Sequence, residues 1–117
     1  MIDPTRWVYR LTKHDKPRDI TLHERERVRS GYSTYDFWNF CDYMAWVNIS
    51  ALKRFKEEGM GYPATLESVE EWNEILDKMI AGFKAHLELN ETHTPELLTI
   101  KDEGLKLYAE HFSSLWD

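Results

Sequence analysis

The chain of 117 residues has the length of a single domain, and its 42% apolar and 31% charged composition is typical of a soluble globular protein. No apolar run is long enough to span a bilayer, and the one cysteine, Cys41, excludes an internal disulfide and fits a reducing cytoplasm. The net charge of −6 disfavours a nucleic-acid partner, because affinity for nucleic acid comes mostly from phosphate neutralisation.

The first thirty residues differ in charge from the rest of the chain. They hold eight basic and five acidic side chains, whereas the remainder holds seven basic and sixteen acidic ones. The segment RWVYRL (6–11) is too short to assign to a strand or to an irregular arm, and we expect a short N-terminal arm. Pro17 suits the first turn of a helix that runs to about Ser30, with Gly31 as its stop.

The next predicted helix, about 34–58, has a well-marked start and end. Ser33 is a natural N-cap, Asp36 completes a capping box, and no proline or glycine follows until Gly59. On a helical projection the apolar side chains cover about 200°, an arc wide enough to be covered from two sides. We therefore expect four side chains near its start to be buried: Phe37, Trp38, Phe40 and Cys41.

The second half of the chain predicts two more helices. After the turn GMGYPAT (59–65), Ser68 caps a helix of about 69–89, and Thr94 caps a last helix that Gly104 weakens in its middle. The fold class that follows is all-α. We expect residues 1–117 to form a single helical domain, a three- to four-helix bundle built on a long antiparallel hairpin of about 34–58 and 69–89.

Catalytic chemistry finds little support in the sequence. The five histidines lack the spacing of a helical metal site, so we expect neither a metal nor a cofactor. The string EEWNEILD (70–77) resembles the carboxylate motifs of helical nucleotide pyrophosphohydrolases, in which carboxylates gather Mg²⁺ around a triphosphate. Here all of them lie on one helix, off its apolar stripe, and a solvated acidic face is the simpler interpretation.

A polar sector of the helix 34–58 is the candidate site. Aromatic rings mixed with hydrogen-bonding groups are typical of interfaces and of pockets for flat polar ligands. Three interpretations stay open: the sector is covered by another helix of the chain, by a second copy, or by a ligand. Five side chains fall within about 60° of one another on this sector: Tyr35, Asn39, Asp42, Trp46 and Lys53.

If the sector binds a ligand, we expect aromatic and basic residues to contact different parts of it. The rings of Tyr32, Tyr35 and Trp46 would stack on a base, because every base has a π-face. Guanidinium and ammonium groups would hold phosphate through charge-assisted hydrogen bonds. The basic candidates are Arg25, Arg27, Arg29, Lys53 and Arg54.

The stretches GYSTYDFW (31–38), GYP (61–63) and EEW (70–72) occur in this order, with a long predicted helix between the first two. In this pattern residues 29–83 resemble a family of short, uncharacterised proteins encoded by phages and prophages. The family pattern is G-Y-S-x-x-D-x-W, a long helix, G-Y-P and then E-E-W. The resemblance implies a small accessory protein made in the cytoplasm of an infected bacterium. Such proteins counter host defence by binding a host protein or by sequestering a nucleotide-derived immune signal. The matching residues are Gly31, Tyr32, Ser33, Asp36, Trp38, Gly61, Tyr62, Pro63, Glu70, Glu71 and Trp72.

These observations together predict a non-enzymatic, homo-oligomeric protein that binds a small anionic nucleotide-like ligand and sequesters a host immune signal. The first alternative is an interaction module that binds and blocks a host defence protein or a phage protein. The second is a helical magnesium-dependent nucleotide pyrophosphohydrolase that uses Glu70, Glu71, Glu74 and Asp77. A membrane partner is not expected.

Overall fold

The computed structural model describes residues 17–59 and 61–116, and every regular element in this part of the chain is helical. The all-α fold class is therefore confirmed, whereas the predicted N-terminal arm lies outside the described residues. No helix in the described part is both long and apolar enough to cross a membrane. The helices are α1 Pro17–Ser30, α2 Thr34–Trp38, α3 Phe40–Glu58, α4 Val69–Glu88 and α5 Pro95–Glu110, followed by a short 3₁₀ helix, Phe112–Ser114.

The described residues divide into two compact units, an N-terminal unit of residues 17–46 and a C-terminal unit of residues 47–59 and 61–116. The boundary falls within the residue range of α3. The organisation of all 117 residues as a single domain stays a prediction, and the two units are described separately below.

Helix ends follow the capping residues that the sequence predicts. Gly31 ends α1 with a positive φ of 85°, a conformation that a side chain would disfavour. The hydroxyl of Ser68 accepts a hydrogen bond from the Glu71 N–H at 3.2 Å, and that of Thr94 accepts one from Leu97 at the same distance. These contacts satisfy N–H groups that have no partner within a helix.

The predicted helix 34–58 is interrupted at Asn39. This residue has φ −130° and ψ 56°, so α2 ends at Trp38 and α3 begins at Phe40. Asparagine is a weak helix former because its side chain competes for backbone hydrogen bonds, but the sequence offers no proline or glycine to mark the break. As a result, α2 and α3 do not share one helical projection.

In the C-terminal unit, α3 and α4 form the predicted hairpin. An ion pair joins Lys56, near the end of α3, to Asp77 in α4, with 2.8 Å between the ammonium and the carboxylate oxygen. Apolar side chains of the two helices form the core of this unit. The largest buried members are Ile49, Leu52, Trp72, Leu76, Met79, Ile80 and Phe83.

The helices α4 and α5 approach each other at a pair of buried glycines, Gly82 and Gly104. A Cβ atom at Gly104 would lie 2.6 Å from the Gly82 Cα and 2.6 Å from the Lys78 carbonyl oxygen. The rings of Phe83 and Tyr108 meet edge to face near this crossing, with centroids 5.1 Å apart. Gly104, predicted only to weaken its helix, is thus required for the backbones to come this close.

We expect Gly104→Ala to lower the free energy of unfolding by about 1–3 kcal/mol, because the added methyl meets backbone atoms that cannot move aside. Helix propensity alone predicts the opposite sign, since alanine is favoured over glycine by about 1 kcal/mol inside a helix. Urea unfolding followed by circular dichroism measures the difference.

Gly61→Ala is the matched control, because no heavy atom lies within 4 Å of a Cβ at this position. It should change the free energy of unfolding by less than about 0.5 kcal/mol. A Gly104→Ala variant as stable as the unaltered protein would contradict the close-crossing interpretation.

Candidate functional site

The N-terminal unit is organised around an ion pair between α1 and α2. Arg27 donates two hydrogen bonds to the Asp36 carboxylate, from Nε to Oδ2 at 2.9 Å and from Nη2 to Oδ1 at 2.8 Å. The Asp36 side chain is fully buried. Such two-pronged pairs combine strength with a fixed relative orientation of the two groups.

Asp36 also takes part in the capping box at the start of α2. Its Oδ2 accepts a hydrogen bond from the Ser33 N–H at 2.8 Å, and its own N–H donates to the Ser33 hydroxyl at 3.1 Å. Both partners are buried. Asp36 therefore serves as the capping residue that the sequence predicts and, in addition, as the partner of a cation nine residues earlier.

Two further hydrogen-bonding contacts hold the connection between α1 and α2. Glu26 accepts hydrogen bonds from the Thr34 N–H at 2.8 Å and from the Thr34 hydroxyl at 2.5 Å. The Tyr43 hydroxyl, on α3, donates to the Gly31 carbonyl oxygen at 2.5 Å. Three side chains, those of Glu26, Asp36 and Tyr43, thus hold the short segment between α1 and α2 in place.

The charges of this cluster shift the pKa values of its members. Burial alone would raise the pKa of Asp36, but the hydrogen bonds from Arg27 and Ser33 and the guanidinium charge outweigh it, so the pKa lies below its ordinary value. The hydrogen bond to Asp36 raises the pKa of Arg27. Burial, assisted by the Asp36 charge, raises the pKa of Tyr43. The ion pair is therefore fully charged at neutral pH.

Five aromatic side chains between residues 32 and 40 are exposed beside this cluster in the sequence. Trp38 is 71% exposed and Phe37 63% exposed, values far above those of core residues. Neighbouring rings contact one another: Tyr35 lies 6.0 Å from Trp38, and Tyr32 lies 5.8 Å from Phe40, between centroids. We call this set the aromatic surface, and its members are Tyr32, Tyr35, Phe37, Trp38 and Phe40.

The prediction that the start of the helix points into the core is therefore wrong. The break at Asn39 gives α2 its own direction, and Phe37, Trp38 and Phe40 are exposed. Cys41 is exposed as well, although its position predicts a small packing residue. Further along α3 only one stripe of the wide apolar arc is buried. Its buried members are Ala45, Ile49 and Leu52, whereas Met44, Val47 and Ala51 are exposed.

The predicted site residues are divided between the two units. Trp46 is only 4% exposed, so the prediction that its ring offers a face to a ligand is wrong in this structure. Arg27 is committed to Asp36, which corrects its predicted role with phosphate. The N-terminal unit also holds Tyr32, Tyr35 and Asn39, exposed, Asp42, half-buried, and Arg25 and Arg29, exposed on α1.

The two remaining members, Lys53 and Arg54, lie in the C-terminal unit. Arg54 pairs with Glu58 one turn later, at 2.9 Å, and both side chains are largely exposed. Exposed pairs of this kind contribute little to stability.

The four carboxylates that the predicted nucleotide pyrophosphohydrolase would use are all on α4. Glu70, Glu71 and Glu74 are exposed, and Asp77 pairs with Lys56. The Glu71 carboxylate accepts a hydrogen bond from the Glu67 N–H at 3.1 Å, which places it at the helix start as a capping group. The contacts of Glu71 and Asp77 are therefore structural ones.

No protein-family model, no curated protein and no solved structure matches the chain. The resemblance to the phage family stays a prediction.

We expect Arg27→Met to lower the free energy of unfolding of the N-terminal unit by about 3–5 kcal/mol, because it leaves the Asp36 carboxylate buried without its cation. Arg29→Met, an exposed change on the same helix, should cost less than about 0.5 kcal/mol. Equal stability of the two variants would contradict the structural role of the ion pair. Urea unfolding of both proteins, followed by tryptophan fluorescence, gives the comparison.

The pH dependence of stability follows from the lowered pKa of Asp36. The stabilisation is present above the unfolded-state pKa of about 4 and is lost as the pH falls from there towards the lower folded-state value. Asp36→Asn should remove this part of the acid dependence, whereas Arg29→Met should retain it.

Proposed function

We propose that this protein is a non-catalytic binding protein whose aromatic surface docks another protein. The observation that carries the proposal is the exposure of Trp38 and Phe37 on a short helix that a partly buried ion pair holds in place. Large apolar rings cost free energy when they face water. The exposed rings here form two contacting groups, Tyr35 with Trp38 and Tyr32 with Phe37 and Phe40, and exposed apolar groups of this kind on a folded unit favour a surface that is covered in the functional state.

The composition of the region supports a protein partner. Tryptophan, tyrosine and arginine are the residues that most often contribute the largest share of protein–protein binding energy. The aromatic surface supplies Trp38, Tyr32 and Tyr35, and α1 adds the exposed Arg25 and Arg29 in the same unit. A partner with an apolar groove and an acidic border matches this combination of rings and positive charges.

The fixed geometry of α2 also favours docking. Its first turn is held by the Arg27–Asp36 ion pair, the Ser33 capping box and the Glu26–Thr34 contact. A surface that is ordered before it binds loses less conformational entropy on association than a flexible segment does. In an infected bacterium the partner would be a host defence protein or another phage protein, as the family resemblance implies.

The aromatic surface can be tested by exchanging single rings. We expect wild-type protein to capture one stoichiometric partner from bacterial lysate, and Trp38→Ser or Phe37→Ser to weaken that complex by at least about thirtyfold. Phe112→Ser is the matched control, because Phe112 is similarly exposed but lies in the C-terminal unit. Quantitative mass spectrometry of the captured proteins, followed by titration of the identified partner, measures the effect.

Circular dichroism spectra that are equal across the variants verify that the fold is intact. The same captured proteins and affinities for wild type, Trp38→Ser and Phe112→Ser would contradict the proposal. Association of two copies through the aromatic surface also stays a proposal. Sedimentation velocity of the same variants tests it, because only the α2 substitutions should lower the mass.

The nucleotide-derived ligand is the second candidate. It is favoured by the exposed Arg25 and Arg29, one helical turn apart on α1, and by the edge-to-face contact of the Tyr35 ring with His23 of the same helix, at 5.9 Å. Against it, the Tyr35 and Trp38 rings are tilted by 52°, whereas a base sandwiched between two rings needs them parallel. Stabilisation of wild type by cyclic nucleotides or ADP-ribose derivatives, lost in Arg29→Met, would favour this candidate over the protein partner.

A further inference from the structure

A cleft of about 530 Å³ lies in the C-terminal unit, and none of the residues that form the aromatic surface lines it. It is formed where the turn after α3 meets the start of α4 and the end of the chain. Its volume is in the range of small-molecule sites, which span about 300–1,000 Å³. The side chains that define its chemistry are Phe55, Tyr62, Thr65, Trp72, Ser114 and Trp116.

Four of the ten described residues that line the cleft are aromatic. Trp72 is buried and its ring meets His111 edge to face, with centroids 5.6 Å apart, so its position is fixed by packing. In contrast, Tyr62 is 46% exposed and Trp116 is 76% exposed. The cleft therefore combines one anchored ring with two rings that are open to a ligand.

The charges around the cleft exclude an anion as the natural occupant. None of the described residues that line it is basic or acidic. The unit itself is acidic, with seven basic and thirteen acidic side chains over residues 47–116. Of the three basic residues at the end of the preceding helix, Arg54 is paired with Glu58 and Lys56 with Asp77, and the exposed Lys53 does not line the cleft. A phosphate or carboxylate would meet no cation in the wall and a net negative field beyond it.

The same uncharged aromatic wall in an acidic unit favours an organic cation. The faces of tryptophan and tyrosine rings carry partial negative charge and attract ammonium groups, most strongly where water is displaced. The hydroxyl groups of Thr65 and Ser114 can accept hydrogen bonds from a polar substituent of such a ligand. We infer that this cleft binds a small alkylammonium ligand through Tyr62, Trp72 and Trp116.

The test compares choline with 3,3-dimethylbutan-1-ol, a neutral molecule of the same shape in which carbon replaces the charged nitrogen. We expect choline to bind saturably and the neutral molecule to bind about tenfold more weakly. Isothermal titration calorimetry gives the affinities. Two-dimensional NMR of the indole N–H groups gives the location, and choline should shift the signals of Trp72 and Trp116 but not that of Trp38.

Two substitutions connect the binding to the rings. Tyr62→Leu and Trp116→Leu retain apolar bulk but remove the ring, and each should weaken choline binding by about fivefold or more. Phe112→Leu, an exposed ring outside the cleft, should leave it unchanged. Tyr62 lies in a loop, so we expect Tyr62→Leu to fold and to show the effect of removing a ring even if Trp116→Leu fails to fold.

Three outcomes would overturn the inference. They are the absence of saturable choline binding up to about 50 mM, equal affinity for the neutral molecule, and unchanged choline affinity in both ring variants. Trp38 enters these measurements only as a reference signal, and none of the three outcomes depends on whether the aromatic surface binds a protein, so they would leave the protein-docking proposal untouched.

Discussion

The N-terminal unit depends on one interaction, the ion pair between Arg27 and Asp36. A buried carboxylate is costly unless it is paired and its oxygens accept hydrogen bonds, and both oxygens of Asp36 do so here. Because Arg27 lies on α1 and Asp36 is in the first turn of α2, this requirement joins the two helices at a fixed point. The polar contacts of Asp36 hold α2 in an orientation in which the rings of Phe37 and Trp38 face solvent.

The two units differ in how they are stabilised. In the C-terminal unit, Leu76, Met79 and their neighbours form an apolar core, and two glycines let α4 and α5 come into contact. In the described part of the N-terminal unit, two of the buried residues, Ser33 and Asp36, are polar. Around Ser33 and Asp36 the interior is polar while the neighbouring rings of Phe37 and Trp38 are exposed, and the proposed docking role rests on this arrangement.

Much of the fold was predictable from local signals. Pro17, Ser33, Ser68 and Thr94 act within three or four residues of their own positions, so they indicate helix starts without tertiary information. The Arg27–Asp36 pair and the glycine crossing were not predictable, because each depends on contacts between elements. The break at Asn39 also escaped prediction, since asparagine is tolerated inside helices. Because of that one break, the rings of Phe37, Trp38 and Phe40 are exposed where they were expected to be buried, and they become part of the candidate site.

We infer that the Arg27–Asp36 ion pair holds α2 in place. Hydrogen exchange of the Asp36 and Phe37 amides tests it most directly, because both donate to Ser33 and report on the first turn of α2. Arg27→Met should speed exchange at these amides relative to the unaltered protein and to Arg29→Met, while protection in α4 and α5 stays unchanged. Unaltered protection of α2 in Arg27→Met would contradict the account.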